Sequence, residues 1–328
     1  MRKITVILCT YNRSQSLAKA LESVAASEVP ASIEWEVQVV DNNSKDQTRS
    51  VVESFCDKYP GRFRYIFEEK QGKSNALNTG ITQARGDVLA FMDDDVLVAP
   101  TWLQNLTAPL LQGGWSGAGG RILSQELLMP PRWLALEGPY SVAGMLALFD
   151  LGDKGRMLDC PPFGTNMAFL KSVFERHGDF RIDMGPCPGS EIRNEDTEFG
   201  RRVMAAGERI WYEPSAVVYH AVPEERLTKQ YLLRFWFDHG RASMREAEKK
   251  PNVWMIPRWW LTVPKIALTV LPLRTFNWLF ALDPKRRFFF KGFVWMTLGQ
   301  MKEIYNLSTR TSTHLTKQIG SREVIKTR

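Results

Sequence analysis

The chain has 328 residues, of which 44% are hydrophobic and 24% charged, and its formal net charge is +7. This composition excludes a disordered chain, and the length predicts one large domain with an appendage. The four cysteines (Cys9, Cys56, Cys160 and Cys187) have no CxxC spacing, which argues against a zinc ribbon or a disulfide framework. The apolar run at the N-terminus is too short for a signal peptide, so we expect a cytoplasmic protein.

The first 120 residues alternate short apolar runs with segments of helical periodicity, which is typical of strand–helix units. The pattern predicts strands over 4–9, 36–40, 62–67 and 87–92. It predicts helices over 14–26, 46–59 and 74–84, with Ser14 as the N-cap of the first. Such alternation indicates a parallel sheet with right-handed crossovers. Polar residues follow three strands, at 10–13, 41–44 and 93–95, where these sheets collect ligands.

The rest of the chain divides by composition. Residues 115–222 are rich in glycine and proline and are interpreted as completing the same domain, with a helix over 197–206 and a strand over 216–219. From about Pro223 the chain becomes helical and basic, and after Ser308 it is polar. We therefore predict a main domain over 1–222, a helical, basic, tryptophan-rich region over 223–307 and a flexible polar tail over 308–328.

Three adjacent carboxylates, those of Asp93, Asp94 and Asp95, close the apolar strand at 87–92. Like charges this close repel one another, so the cluster predicts a bound cation rather than a solvated turn. Oxygen ligands suit Mg²⁺ or Mn²⁺, which typically bridge one or two carboxylates to substrate phosphates.

Three further motifs contain candidate functional side chains. Lys73 precedes the helix at 74–84, where its charge adds to the positive end of the helix dipole and favours anions. Glu195 and Asp196 precede the helix at 197–206, and a carboxylate held there stays ionised and can act as a general base. His220 follows a strand-like run and is a candidate metal ligand or phosphate partner. Each motif alone is also compatible with a structural role, as a helix start, a helix cap or a structural histidine.

In combination these motifs resemble glycosyltransferase family 2, an inverting family with the GT-A (nucleotide-diphospho-sugar transferase) fold. The matching pieces run in the family's order over 6–13, 39–44, 72–80, 84–87, 91–95, 194–198 and 213–214, followed by His220. The resemblance implies a mainly parallel central sheet flanked by helices, to which this chain adds a helical C-terminal appendage.

The resemblance also implies roles for individual residues. Its nucleotide-sugar binding set comprises Thr10, Tyr11, Arg13, Asp41, Asn43, Lys73, Asn75, Asp93 and Asp94, with Asp41 bonding the base and Asp93 touching the ribose. Asp95 would hold the metal on the diphosphate, with Asp93 and His220 beside it. Asp196 would deprotonate the acceptor hydroxyl, with Glu195 as the second member of the catalytic pair.

The implied activity is metal-dependent transfer of a hexose-type sugar from a nucleotide-diphosphate donor, expected to be a UDP-sugar, to a glycan or lipid-linked acceptor. Arg234-Phe235-Trp236 matches only loosely the QxxRW segment of the family's polymerases, which favours single transfer. One alternative is a sugar-phosphate nucleotidyltransferase, although its GxGxRL loop is missing. Another is a basic nucleic-acid-binding protein, against which the acidic triplet argues; we expect no nucleic acid partner.

The segment from Pro251 to Gln300 carries seven basic residues against one acidic residue, Asp283, and five of the chain's 11 tryptophans. Its longest uncharged stretches, 266–273 and 275–282, are shorter than the about 20 residues of a spanning helix. Pro257, Pro264 and Pro272 are expected to interrupt it. We favour a segment lying on an anionic membrane at the cytoplasmic face over a buried helical subdomain or a spanning helix.

Overall fold

The computed structural model describes residues 3–247 and 258–323, with side chains described over 3–247 and 262–307. Within these residues the strands are β1 Ile4–Thr10, β2 Trp35–Asp41, β3 Phe63–Phe67, β4 Val88–Asp93, β5 Val96–Val98, β6 Gly117–Ser124, β7 Arg156–Met157, β8 Asn166–Leu170 and β9 Ile210–His220. The helices are α1 Ser14–Ala25, α2 Thr48–Lys58, α3 Lys73–Gln83, α4 Trp102–Gln112, α5 Lys171–His177, α6 Glu195–Ala205, α7 Lys229–Glu246, α8 Arg258–Lys265, α9 Leu271–Phe280 and α10 Pro284–Glu323.

All nine strands belong to one sheet, in the order β3-β2-β1-β4-β8-β6-β9-β5, with β7 paired to β9. The first four strands in this order pair in parallel, as the strand–helix alternation predicts. Their register aligns Thr10 of β1 with Asp41 of β2, and Cys9 of β1 with Asp93 of β4. The polar residues that follow β1, β2 and β4 therefore meet at one edge of the sheet.

The second half of the sheet mixes directions. β8 pairs antiparallel with β4 and β6, while β6 and β9 run parallel. β9 is much longer than the predicted strand at 216–219, and its end pairs antiparallel with β5 so that His220 lies opposite Val96. This pairing brings His220 next to the residue before Val96, which is Asp95.

Two apolar clusters cover the sheet. β1 contributes Val6 and Leu8 to a cluster that includes side chains of α1, α2 and α4. Its Ile7 belongs to a second cluster with side chains of α3, α5 and α6. Because alternate side chains of a strand point to opposite faces, both faces of β1 are buried. This burial explains why its sequence is a continuous apolar run.

Several element starts differ from the predictions, and Asp46 explains two of them. The prediction of Ser14 as an N-cap is wrong, since α1 begins at Ser14 itself and the Ser14 N–H donates to Asp46 Oδ2 at 2.9 Å. Asp46 also accepts from the Thr48 N–H at 3.0 Å, so α2 begins at Thr48 rather than at Asp46. α6 begins at Glu195 rather than at Thr197, which places the acidic pair inside its first turn.

The described chain separates into two compact units. One comprises Met1–Met129 and Ala143–Pro223, and the other Pro130–Val142 and Glu224–Arg328. Residues 130–142, which lie within the predicted main domain 1–222, belong to the second unit. Aromatic packing accounts for this, because Trp133 contacts Phe288 and Tyr140 contacts Phe289 of α10.

In the second unit, α7 packs against α10 around a buried carboxylate. Glu303 of α10 is fully buried and accepts from Arg241 Nε at 2.9 Å and from Arg245 Nε at 2.6 Å. The two guanidinium groups outweigh the effect of burial and lower the pKa of Glu303. The pairing joins the two helices by charge-assisted hydrogen bonds inside the packed interface.

The expectation that Pro264 and Pro272 interrupt the following segment is wrong. α8 and α9 are joined by a π-helical segment, Ile266–Val270, so that helical backbone continues from Arg258 to Phe280. A wider turn leaves room for a proline ring, and Pro272 stands at the start of α9, where its missing N–H costs little. Pro257 and Trp254 lie outside the described residues. None of the described helices is long and apolar enough to cross a membrane.

α10 continues to Glu323, past the predicted boundary at residue 307. The predicted flexible tail thus overlaps the backbone of this helix over 308–323. Residues 324–328 lie outside the described part of the chain.

Candidate active site

Asp94 lies at the centre of a buried group at the end of β4. Its Oδ2 accepts from Thr10 Oγ1 at 2.7 Å, and its Oδ1 accepts from Arg13 Nη1 at 3.0 Å. Burial raises the pKa of Asp94 to about 6, an effect that Arg13 opposes and Asp95 reinforces. Asp94 therefore connects β4 with the loop after β1 and points away from bulk water.

Asp93 and Glu195 share one lysine. Lys73 Nζ lies 2.8 Å from Asp93 Oδ1 and 3.3 Å from Glu195 Oε1, and Thr165 Oγ1 donates to Asp93 Oδ2 at 2.8 Å. Burial opposes ionisation of Asp93, but Lys73 outweighs it and lowers the pKa of Asp93 to about 2. The same carboxylates hold the pKa of Lys73 well above its usual range despite burial. Lys73 is therefore a fixed cation between β4 and α6.

Asp95 faces a different pair of side chains. Arg13 Nη1 lies 3.0 Å from Asp95 Oδ2, and the buried His220 has its Nε2 3.7 Å from Asp95 Oδ1. That second distance is too long for a direct hydrogen bond. It is short enough for a carboxylate and an imidazole to contact the same divalent ion, which requires distances of about 2.0–2.2 Å to each.

The predicted metal set of Asp93, Asp95 and His220 is not gathered as a set. Both oxygens of Asp93 are engaged, by Lys73 and by Thr165. Among the described residues, no group of three or more histidine, cysteine or acidic side chains is arranged to hold an ion alone. Asp95 and His220 could hold an ion together if further ligands were supplied, whereas Asp93 faces Lys73 and Thr165.

The two members of the acidic pair differ sharply in environment. Glu195 is buried, and burial raises its pKa although Lys73 opposes this. Asp196 is only partly buried, and it accepts from the Gly164 N–H at 2.7 Å and the Thr197 N–H at 2.6 Å. Asp196 is thus the better placed of the two to accept a proton.

Asp41 lies at the end of β2, beside Thr10 in the sheet register. Its carboxylate accepts from Tyr65 Oη at 2.8 Å and from the Ser44 N–H at 2.9 Å. The neighbouring Asn42 is buried and holds the next loop, because its side chain donates to Lys70 O at 2.8 Å and accepts from the Gly72 N–H at 2.7 Å. Hydrogen bonds of Asn42 therefore connect the loop that precedes α2 with the loop that precedes α3.

The remaining predicted residues lie around these loops. Asn43 has a left-handed backbone, with φ of 65°, and its side chain donates to Glu69 O at 3.3 Å. The side chain of Asn75 donates to Gln71 O at 3.2 Å, and Tyr11 is exposed. No described hydrogen bond or ion pair joins Tyr11, Asn43 or Asn75 to the connected group around Asp94.

Three residues that contact the predicted site residues, Thr165, Gly164 and Tyr65, are not among those predicted from the sequence. The first two belong to an irregular loop, and they reach the site because β8, which starts at Asn166, pairs with β4. Nothing in the local pattern of that loop indicates such a position. Tyr65 lies on β3, which pairs with β2, two residues before the end of the strand. Its contact with Asp41 can be predicted only when the register between the two strands is known.

The model of the family described as "Glycosyl transferase family 2" matches residues 5–178, which is more than half of the chain. This chain belongs to glycosyl transferase family 2. The matched residues include β1, β2, β4 and the acidic triplet, so the resemblance drawn from the motifs is confirmed.

Relatives of this family member align over most of its length. It is 29% identical over 257 residues to the succinoglycan biosynthesis protein ExoM of Rhizobium meliloti, covering 77% of this chain and 79% of that protein. It is 26% identical over 253 residues to a glucosyl-dolichyl phosphate glucuronosyltransferase of Haloferax volcanii, covering 74% and 77%. The chain is a glycosyltransferase, and the nucleotidyltransferase and nucleic-acid-binding alternatives are not supported.

The solved structures agree on the fold of this family 2 enzyme. A mannosyltransferase of Pyrobaculum calidifontis, determined with GDP-mannose and Mn²⁺, matches with a TM-score of 0.57 and 19% identity, covering 89% of this chain and 86% of that one. At this identity the likeness is to the fold alone. The predicted GT-A fold is confirmed.

Proposed function

We propose that this glycosyltransferase moves a hexose-type sugar from a nucleotide-diphosphate sugar to an acceptor hydroxyl by a single, inverting displacement. The observation that carries the proposal is the connected group at the ends of β1 and β4. There, Arg13 and Lys73 are paired with four carboxylates, those of the acidic triplet and of Glu195, while Asp196 stands partly exposed nearby in the chain's first unit. The two cations suit a diphosphate, which is anionic, and the partly exposed carboxylate suits a neutral hydroxyl that must lose a proton.

The donor would lie along the edge of the sheet from Asp41 to Asp95. Asp41 would accept an N–H of the nucleobase, with Tyr65 and the Ser44 N–H holding its carboxylate in place. Thr10, Tyr11, Asn43 and Asn75 would border the nucleoside, and Asp93 would accept from a ribose hydroxyl. Lys73 and Arg13 would face the diphosphate. We expect a UDP-sugar as the donor.

A divalent ion, Mg²⁺ or Mn²⁺, would be held by Asp95 and His220, the two ligands whose separation fits one ion. Such an ion would offset the charge that develops on the departing diphosphate. The spacing Asp93-x-Asp95 is that of a DXD motif, although the contacts of Asp93 favour a role in holding Lys73. Asp94 would keep Arg13 in position through its 3.0 Å contact.

Asp196 would take the acceptor proton. Its two backbone donors hold the side chain in place, and its partial exposure leaves room for a hydroxyl. Glu195 would act as a positioning residue, because its carboxylate is buried against Lys73 and Lys73 in turn holds Asp93. Lys73 would then contact both Asp93, on the donor side of the site, and Glu195, next to the residue that binds the acceptor.

The acceptor would be a glycan or lipid-linked sugar in polysaccharide or lipid-linked glycan biosynthesis. The printed names of the two relatives, a succinoglycan biosynthesis protein and an enzyme of a dolichyl phosphate sugar, support this class. The basic composition of residues 251–300 supports a peripheral position at the cytoplasmic face of a membrane.

The decisive experiment is a panel of UDP-, GDP-, dTDP- and CMP-sugars, each incubated with Mn²⁺, Mg²⁺ or chelator while nucleotide release is measured. We expect release from one nucleoside-diphosphate class only, dependent on metal. The proposal is abandoned if no sugar nucleotide is turned over with or without a lipid-phosphate acceptor. If turnover is unchanged in the presence of chelator, the proposed metal dependence is wrong.

A further inference from the structure

The helical run through α8, the π-helical segment and α9 exposes an apolar stripe in the second unit. Leu268 is 79% exposed, and Leu273, Phe276, Leu279 and Phe280 are exposed as well. Pro264, Leu268, Pro272 and Phe276 follow one another at intervals of four residues, so they lie along one side of the helical run. Large apolar side chains so arranged form a continuous surface rather than scattered exposure.

Arg274, a charged residue within the same run, points inward. Arg274 is directed at α10, where its Nη1 donates to Phe293 O at 3.1 Å and Thr297 Oγ1 at 2.6 Å. Burial lowers the pKa of this guanidinium. A helix on the surface of a soluble domain normally turns its apolar side to the core and its charges to water. In this run Arg274 is turned inward while Leu268, Phe276 and their apolar neighbours face outward, which indicates that something apolar covers the outer side.

A basic cluster continues the stripe. Leu282 is 98% exposed, and Lys285, Arg286 and Arg287 follow it as exposed residues in the first turn of α10. Asp283 is the one acidic residue between positions 262 and 291. Its Oδ1 accepts from the Arg286 N–H at 2.7 Å, so the carboxylate caps the helix.

We propose that this surface, formed by Leu268, Leu273, Phe276, Leu279, Phe280, Leu282 and the cluster 285–287, docks on an anionic lipid bilayer. The apolar side chains enter the boundary of the acyl chains while the three cations lie at the lipid phosphates. The proposal rests on the membrane position put forward above and names the side chains responsible for it.

A second copy of the chain fits this surface less well. A two-fold contact centred on the stripe brings two copies of the basic cluster towards each other, and like charges at an interface oppose association. An anionic bilayer complements both parts of the surface. The basic cluster therefore selects lipid over self-association.

The test uses the full chain in co-sedimentation with vesicles of phosphatidylcholine alone or mixed with phosphatidylglycerol. Three forms are compared with the wild type: F276S/L279S/F280S, K285Q/R286Q/R287Q and the control L127S/M129S/M157S, which removes three exposed apolar side chains of the first unit. We expect the wild type and the control to bind mixed vesicles equally. The basic-cluster variant should bind them about a hundredfold more weakly, because each of the three cations contributes about a fivefold gain in affinity. The stripe variant should lose binding to every composition.

Three results would overturn the proposal. One is wild-type protein that stays in the supernatant with anionic vesicles at low salt. Another is a stripe variant that binds like the control. The third is a wild-type dimer, measured by light scattering, that the stripe variant converts to monomer. Metal-dependent release of nucleotide without vesicles is measured in parallel and should be unchanged in all variants, so loss of docking is distinguished from failure of the proposed transfer.

Discussion

Arg13 and Asp95 form an ion pair in which Nη1 of the arginine lies 3.0 Å from Oδ2 of the aspartate, the same Nη1 that contacts Asp94. The guanidinium therefore supplies positive charge beside the carboxylate to which we assign the metal. A divalent ion arriving at Asp95 meets a cation already in place, and a diphosphate arriving with that ion offers Arg13 a new partner. Metal and donor binding should thus depend on each other.

This dependence predicts opposite effects of one substitution. Arg13→Gln removes the competing charge, so Mn²⁺ should bind about three- to tenfold more tightly without donor, as expected for a like charge near a solvent-accessible site. Donor affinity should fall, because a phosphate contact is lost. Titration of Mn²⁺ by electron paramagnetic resonance, with and without nucleoside diphosphate, measures both. Weaker metal binding without donor would show that Arg13 does not compete.

A second prediction separates the roles of Asp95 and Asp93. Asp95→Asn should abolish measurable Mn²⁺ binding, since the carboxylate paired with His220 is lost. Asp93→Asn should leave Mn²⁺ affinity within about threefold while weakening the donor, because Asp93 binds Lys73 and Thr165. Each variant removes one negative charge, and the two sites are only two residues apart in the sequence. Each variant is therefore a control for the other. An equal loss of Mn²⁺ binding in both variants would show that Asp93 is a metal ligand as well.

A third prediction concerns the acidic pair. Asp196→Asn should lower kcat by about 10²- to 10⁴-fold with donor affinity near normal, as expected when a general base is removed. Glu195→Gln keeps a side chain of the same size against Lys73 and should weaken donor binding more than it lowers kcat. Steady-state kinetics with varied donor and acceptor provide the comparison. A fully active Asp196→Asn together with an inactive Glu195→Gln would reverse the assignment.

A fourth prediction uses Glu208, in the first unit away from the acidic triplet. Burial opposes its ionisation, but hydrogen bonds from Ser116, His177 and Arg176 lower the pKa of Glu208 to about 2. A carboxylate with a lowered folded-state pKa stabilises the fold above its unfolded pKa, and this contribution is lost as the pH falls towards 2. Glu208→Gln should therefore reduce the free energy of unfolding by about 2–3 kcal/mol at pH 7 and by progressively less below about pH 4.5.

The measurement is denaturant unfolding at several pH values, with the exposed Glu225→Gln as control. The control should change the free energy of unfolding by less than about 0.5 kcal/mol at every pH. A destabilisation by Glu208→Gln that stays constant down to pH 3 would show that packing, and not ionisation, is responsible.

The parallel half of the sheet could be predicted from the sequence because each of its strands has a local signal, a short apolar run. The run Ile4 to Cys9 is apolar without alternation, and such a run is stable as a strand only when both faces are covered. The polar residues 10–13, 41–44 and 93–95 follow runs of this kind, so their convergence at one edge follows from parallel pairing. Helix starts were less accurate, since Asp46 is distant in sequence from Ser14 yet bonds its N–H.

Only the tertiary structure decided which charges meet. His220 reaches Asp95 through the pairing of β9 with β5, and Thr165 reaches Asp93 because β8 pairs with β4. The same holds for α9, where composition indicates an apolar, basic segment but only packing against α10 turns Arg274 inward and Phe276 outward. Periodicity records which residues share a side of an element. Which side is buried depends on contacts between residues far apart in the chain, and these contacts have no local signature.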